Sequence, residues 1–399
     1  MSDRTSTDLI HHAYQPPAGF SAPQVGVHKA STVIFPNVAA MRTRDWREKK
    51  GYTYGLHGTP TTFTLEARIA ALEGGTQTVL TPSGLAAIAL VNQSLLAQGD
   101  ELLLPANVYA PSRELARNEL ARWGITHRFY DPLDATALAQ TIGPQTRLVW
   151  IEAPGSVTME FPDLRGLVAA VRSRGVTAAL DNTWGAGIAF KPFDLGVDVV
   201  MQALTKFPSG GGDVLMGSVT TRDAALHERI KLTHMRLGLG VGANDAEFLL
   251  RSLPTLALRY AVQDRAGRVL AQWFAARSDV VQVLHPALPG SPGHAHWQAH
   301  CQAAAGLFSV VFSEQHVTQP QIDAFVDALR LFRIGYSWAG PMSLAVPYDL
   351  GAMRGAQRAA HLRRQMVRFS MGLEAVADLQ ADLAQALAAA GLDDGLRVA

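Results

Sequence analysis

Seven short apolar runs dominate the chain between about residues 77 and 221. They read "TVLTP", "ELLLP", "THRFYD", "RLVWIEAP", "VTAALDNT", "DVVMQA" and "VLMGSVT". Helical stretches such as "GLAAIALVNQSLLAQG" and "SRELARNELARWG" lie between them. A strand that is apolar along its whole length must be covered on both faces. Strands alternating with helices supply that cover as a mainly parallel sheet between helical layers. Residues 59–252 are therefore expected to form an α/β domain with a mainly parallel, seven-stranded sheet. Ligands of such sheets bind beyond the carboxyl ends of the strands.

The flanks differ in texture. Residues 1–58 hold few periodic segments, with "STVIFPNVAAM" and the Gly-, Thr- and Tyr-rich "KKGYTYGLHGTPTT". They are expected to form an arm that packs on something else. Residues 253–399 open with "LPTLALRYAVQDRAGRVLAQWFAAR", a long amphipathic helix pattern. Strands at "CQAAAGLFSVVF" and "QMVRFSMGLE" and helices at "QIDAFVDALRLF" and "ADLQADLAQALAAAG" follow. This predicts a smaller C-terminal α/β domain, with no internal repeat.

Composition narrows the class. Of 399 residues, 48% are hydrophobic and 17% charged, which is globular. Lys and Arg total 35 against 34 Asp and Glu, for a net charge of +1. That balance gives no basis for a nucleic-acid or anionic-membrane partner. Cys301 is the single cysteine, so no intrachain disulfide forms, as suits a reducing compartment. The start "MSDRTSTDLIHHAYQPP" lacks the basic and apolar regions of a secretory signal. A soluble cytoplasmic protein is the expectation.

Four polar features stand where strands end: Asp181 in "VTAALDNT", Thr205 and Lys206 in "DVVMQALTK", Ser83-Gly84-Leu85 opening a helix, and Tyr109 in "ELLLPANVYAPS". Taken singly they are a turn residue, a solvated lysine, a helix cap and a half-buried aromatic. Together they are what pyridoxal phosphate chemistry needs. A primary amine must form a Schiff base with the cofactor aldehyde, and burial lowers a lysine's pKa enough for that. A carboxylate must keep the pyridine nitrogen protonated, which suits Asp181. Backbone N–H groups at a helix start suit a phosphate, and Gly84 admits a close approach. Tyr109 suits stacking on the ring, and Thr205 suits donation to the phosphate. Arg368 in "MVRFSMGLE" lies inside an apolar strand, where a guanidinium is costly unless it meets an anion such as a carboxylate.

"LDNTWGAG", with Lys206 of "QALTK" 25 residues after Asp181, resembles the transsulfuration (Cys/Met metabolism) family of pyridoxal-phosphate enzymes. The resemblance continues through "HKASTVIF", "YGLHGTPTTFTLEARIAALEGG", "HPALPGSPGH" and "GLFSVVF", and so covers nearly the whole chain. It implies the aspartate aminotransferase-like fold, fold type I. It also implies that Lys206 binds the cofactor, Asp181 pairs with the pyridine nitrogen, and Gly84, Leu85 and Thr205 hold the phosphate. Tyr109 would stack on the ring and assist proton transfer, and Arg368 would hold the substrate carboxylate beside Ser337 and Trp338. "EAPGSVTMEFPDL" and "YSWAG" resemble the bacterial β-acting lyases of the family. The implied reaction is β-elimination from L-cystathionine to homocysteine, pyruvate and ammonia, by a homotetramer built from two active dimers.

The family usually carries Tyr-x-Arg in the arm, reaching the cofactor phosphate and substrate of the neighbouring subunit. Here Tyr54 matches and Leu56 replaces the arginine, so His57 is expected to supply part of the missing charge and to lose it as pH rises. "GHAHWQAHC" brings together His294, His296, His300 and Cys301, but without the companion ligands of a zinc motif, and reads as a loop entering a helix. The other readings are γ-elimination or γ-replacement, a broader cysteine-S-conjugate lyase or desulfhydrase, and a pyridoxal-phosphate-binding regulator without turnover.

Overall fold

The computed structural model of the chain describes residues 3–12, 14, 16, 18–47, 49, 51–349 and 365–392. The large sheet is made of β1 (Gln77–Thr81), β2 (Glu101–Pro105), β3 (Thr126–Tyr130), β4 (Thr146–Glu152), β5 (Thr177–Asp181), β6 (Val199–Gln202) and β7 (Gly217–Thr221). Its seven strands run in the order β1-β7-β6-β5-β4-β2-β3. All seven apolar runs of the sequence become strands of this one sheet.

β7 alone is reversed, pairing antiparallel with both β1 and β6. The reason lies in the connection before it. Residues 203–216 contain no helix to carry the chain back across a face, so β7 returns beside β6. The chain also changes direction between β2 and β4. β3 lies on one side of β2, and β4, β5 and β6 follow on the other. Crevices at such switch points are where α/β sheets hold ligands, and the segments carrying Tyr109 and residues 153–161 leave the sheet there.

The second sheet has five strands in the order β10-β11-β12-β9-β8. They are β8 (Val280–Leu284), β9 (Leu307–Phe312), β10 (Arg333–Ile334), β11 (Leu344–Asp349) and β12 (Gln365–Ser370). The sequence pattern picks out β9 and β12 but not the other three. β11 contains Pro347, which argues against a strand interior. It is tolerated because β10 pairs only with Leu344 and Ala345, leaving the Pro347 end of β11 paired on one side, to β12. The long helix Leu256–Ala275 and the helix Val376–Ala389 fall where the periodicity puts them. The N-terminal segment packs on the large domain of its own chain. Its helix Asp3–Ile10 inserts Leu9 into the main core, and Val25 joins it.

One buried carboxylate ties the large sheet together behind its ligand edge. Glu73 ends the helix Pro60–Glu73 and accepts from Asn182 Nδ2 at 2.6 Å and from Gln202 Nε2. Burial is the main cause that raises its pKa from 4.5 to about 7. Between those values the unfolded chain has released a proton that the folded chain keeps. Stability therefore falls as pH rises from 4.5 to about 7 and levels off above. Glu73→Gln removes this titration. Urea unfolding of the parent across that window should show a steeper fall than unfolding of the variant; equal slopes would contradict a protonated, buried Glu73.

Candidate active site

Lys206 leaves the end of β6 on backbone that is fixed despite the glycines after it. Thr205 N donates to Met216 O at 3.1 Å, and Thr205 Oγ1 donates to Met216 O and accepts from Met216 N. Gly210 N donates to Lys206 O at 2.9 Å, and Arg259 Nη1 donates to Phe207 O at 2.8 Å. Nζ of Lys206 is thus directed to one place. It donates to Ser337 Oγ at 2.6 Å and lies 5.5 Å from the centre of the Trp338 ring. Trp338 in turn meets Phe207 edge to face at 5.6 Å. Burial, followed by the positive charge of Arg368, pushes the Lys206 pKa down from 10.5 to about 8, with Asp181 opposing. The amine is therefore substantially neutral at a pH where an ordinary lysine is not.

Asp181 is the last residue of β5, in register with Glu152 on β4 and Met201 on β6. Burial raises its pKa. Hydrogen bonds from Thr183 and the charge of Lys206 act in the opposite direction. Thr183 N donates to Asp181 Oδ1 at 2.9 Å, and Thr183 Oγ1 accepts from Ala203 N at 2.9 Å. Thr183 therefore ties the carboxylate to the segment that carries Lys206. Tyr109 follows β2, its N–H donating to Glu152 Oε2 at 2.8 Å, and the residue is 41% exposed. Its hydroxyl pKa is raised by burial and then by the negative charges of Asp181 and Glu152.

At the end of β1, Ser83 caps the helix Gly84–Leu95 by accepting from Ala86 N at 3.1 Å. The N–H groups of Gly84 and Leu85 have no hydrogen-bond partner among the described residues. A Cβ on Gly84 would fall 2.6 Å from Cβ of Ala203, so glycine brings this helix start against the Lys206 segment. The Thr205 hydroxyl, expected from sequence to serve a phosphate, is engaged with Met216 in this structure.

Arg368 sits on β12 of the second sheet at 7% exposure. Its Nη2 donates to Ser337 O at 3.1 Å, its guanidinium lies 5.5 Å from the Tyr348 ring centre, and its Nε has no partner. Among the described residues no carboxylate pairs with it, and burial lowers its pKa. A buried guanidinium without a carboxylate partner among the described residues can receive an anion. Ser337 is the hinge of the site: its φ of 98° turns its hydroxyl to Lys206 while its carbonyl meets Arg368.

The structure thus gathers Lys206, Asp181, Tyr109, Ser337, Trp338 and Arg368 at one edge, with Gly84 and Leu85 packed beside the Lys206 segment. It does not bring Tyr54 or His57 to them. His57 bonds Thr53 Oγ1 through Nδ1 at 2.8 Å, stacks on Trp46 at 5.2 Å and meets Tyr54 edge-on at 6.0 Å. Burial, and then Lys231, His234 and Arg44, lower its pKa. A ring already neutral at neutral pH has no charge to lose there, which works against the expected charge replacement. His294 heads the helix His294–His300, bonds Pro286 O at 2.8 Å and stacks on Trp297.

Thr183, Glu152 and Tyr348 were not foreseen. Thr183 was legible as the Asp-x-Thr turn that follows a strand. Glu152 and Tyr348 depend on sheet register, which local pattern does not reveal.

A family model described as "Cys/Met metabolism PLP-dependent enzyme" matches residues 6–388. The chain belongs to this family. A Bordetella avium relative named cystathionine beta-lyase is 38% identical over 97% of this chain and 99% of its own. A Salmonella typhimurium relative of the same name is 35% identical over 91% and 92%. The fold matches a crystal structure of cystathionine gamma synthase from Xanthomonas oryzae in complex with aminoacrylate and cysteine. Its TM-score is 0.88 and its identity 28%, over 98% of this chain and 99% of that one.

This Cys/Met metabolism enzyme depends on pyridoxal phosphate, and the residues present fit that group. The amine of Lys206, the buried carboxyl of Asp181 and two free N–H groups at a helix start are the donor and acceptor set that an aldehyde, a pyridine nitrogen and a phosphate require.

Proposed function

We propose that this protein is a cystathionine β-lyase, cleaving L-cystathionine with water to homocysteine, pyruvate and ammonia. The observation that carries the reading is that Ser337 joins the Lys206 amine to the buried Arg368 guanidinium, which has no carboxylate partner among the described residues, a site for an amino acid. The two whole-length relatives named cystathionine beta-lyase support the choice of reaction.

Bound pyridoxal phosphate supplies an aldehyde for an amine and an electron sink for a carbanion. Lys206 would hold its aldehyde carbon, Asp181 its pyridine nitrogen, Gly84 and Leu85 its phosphate, and Tyr109 its ring, while Thr205, bonded to Met216, would reach the phosphate only by exchanging that bond. Arg368 receives the substrate carboxylate with its free Nε and its fork, while Ser337 and Trp338 close the substrate side. That contact fixes the substrate's Cα over Lys206. The freed amine, with a pKa of about 8, takes the Cα proton as general base. The same ammonium then returns a proton to the departing homocysteine thiolate, with Tyr109 beside it. Ser337 Oγ, 2.6 Å from Nζ, keeps the amine on this line.

The arm with Tyr54 and His57 serves a neighbouring subunit in this reading, so the active unit is a dimer; the family resemblance extends it to a homotetramer of two such dimers, and the single cysteine suits the cytoplasm. Residues 1–58 are the arm, 59–252 the cofactor domain and 253–399 the C-terminal domain. Among the described residues no helix is long and apolar enough to cross a membrane. Light scattering on the holoenzyme tests the assembly; a monomer that turns over would overturn it.

The decisive test is to incubate the holoenzyme with L-cystathionine and identify the keto acid. Pyruvate is expected; 2-oxobutyrate would show γ-elimination instead. The lowered Lys206 pKa gives a second expectation. Only the neutral amine attacks an aldehyde, so cofactor uptake by the apoenzyme should speed up with rising pH and level off above about 8. A rate still climbing toward 10.5 would show that burial does not depress this amine.

A further inference from the structure

The turn that leaves β4 is held open by strain and by one buried carboxylate. Val157 and Met159 have φ of 70° and 54°, the left-handed region, although neither is glycine. For a β-branched residue such as Val157 that conformation is a true outlier, and outliers persist only where their surroundings enforce them. Two groups do so. The Glu160 carboxylate, 3% exposed, accepts from Asn107 Nδ2 at 2.7 Å and from Thr158 Oγ1 at 2.6 Å. Fully buried Ser309 donates its hydroxyl to Val157 O at 2.6 Å.

The partners of this turn lie on opposite sides of the site. Asn107 stands two residues before Tyr109 and also accepts from Ser156 N at 3.0 Å. Glycine at 155 leaves room for the Asn107 amide, which a Cβ there would strike. Ser309 belongs to β9, where it is the direct cross-strand partner of Arg368. A covalently short, strained segment thus links the large sheet at Tyr109 to the small sheet at Arg368.

We propose that residues 155–160 form a strut that sets the position of Arg368 against Tyr109 and Lys206, with Glu160 and Ser309 as positioning residues for the substrate carboxylate. The inference rests on the reading of Arg368 as the carboxylate site. Neither residue touches substrate in it. Each fixes the strained turn, and the turn fixes how far the carboxylate lies from the amine that takes the Cα proton. A displacement of that kind weakens binding of any α-amino acid before it slows a later step.

The test compares parent, Glu160→Gln, Ser309→Ala and Ser370→Ala holoenzymes. Ser370 Oγ is buried on β12 with no partner, so its loss controls for removing a hydroxyl near Arg368. The first readout is the dissociation constant of L-alanine, followed by the change in cofactor absorbance. L-Alanine carries a carboxylate but no leaving group at Cβ. The second is KM against kcat for L-cystathionine. Ser309→Ala and Glu160→Gln should each raise the L-alanine constant and KM by about tenfold, the size of one lost hydrogen bond, with a smaller fall in kcat and unchanged cofactor content. Ser370→Ala should match the parent.

Unchanged L-alanine binding in folded Ser309→Ala overturns the strut, whatever happens to its melting temperature. An equal loss in Ser370→Ala also overturns it. Should Glu160→Gln fail to fold, Ser309→Ala decides alone. If the parent makes no pyruvate from L-cystathionine, the proposed reaction falls while the L-alanine comparison still judges the strut.

Discussion

Lys206→Ala will fold, bind cofactor less firmly and lose nearly all elimination from L-cystathionine. Removal of a general base costs about 10²- to 10⁴-fold, or roughly 3 to 5 kcal/mol of transition-state stabilisation. Lys206 also returns the proton to the leaving thiolate, so the loss should lie at the upper end. The fold should survive because the side chain makes one hydrogen bond, to Ser337, and its charge is already disfavoured by burial. Lys206→Arg separates charge from chemistry. A guanidinium keeps a cation near Asp181 but cannot deprotonate, so this variant should be equally inactive. Pyruvate release by both variants is the measurement. Substantial turnover by either would remove Lys206 from the role of base.

Much of the site was legible because strand ends are legible. Asp181, Tyr109 and Lys206 each follow a run whose short length and flanking turn residues favour a strand buried on both faces. Once those runs share one sheet, their carboxyl ends must meet. Arg368 was legible for a different reason: a guanidinium inside "MVRFS" has no inexpensive structural explanation. What local pattern does not carry is register and strain. That Ser309 would stand opposite Arg368, or would bond the left-handed Val157 from 152 residues away, follows from pairings between segments distant in sequence. β11 was hidden by Pro347, whose cost depends on which neighbour its strand lacks. What the arm packs on was hidden for the same reason. Leu9 looks like one apolar residue in a polar stretch until the main core is there to receive it.

Arg368→Ala should show two effects that a structural arginine would not produce together. The first is on binding. Hydrogen bonds to charged groups contribute about 1.5 to 3 kcal/mol, so KM for L-cystathionine should rise about 10- to 100-fold, with a smaller fall in kcat. Arg368→Lys should recover little of it, because an ammonium cannot reproduce the planar fork. The second effect is on Lys206. The charge of Arg368 is one of the causes that lower the amine's pKa. Without it protonation becomes easier, and the pKa moves from about 8 back toward 10.5. The plateau in the pH dependence of cofactor uptake by the apoenzyme should therefore shift upward in Arg368→Ala. In Arg368→Lys, which keeps the charge, it should stay closer to its parent position. A raised KM with an unmoved plateau would mean that the guanidinium holds the carboxylate but does not tune the base. An unmoved KM would remove Arg368 from the substrate site and leave its unpaired burial to be explained by the partner strands alone.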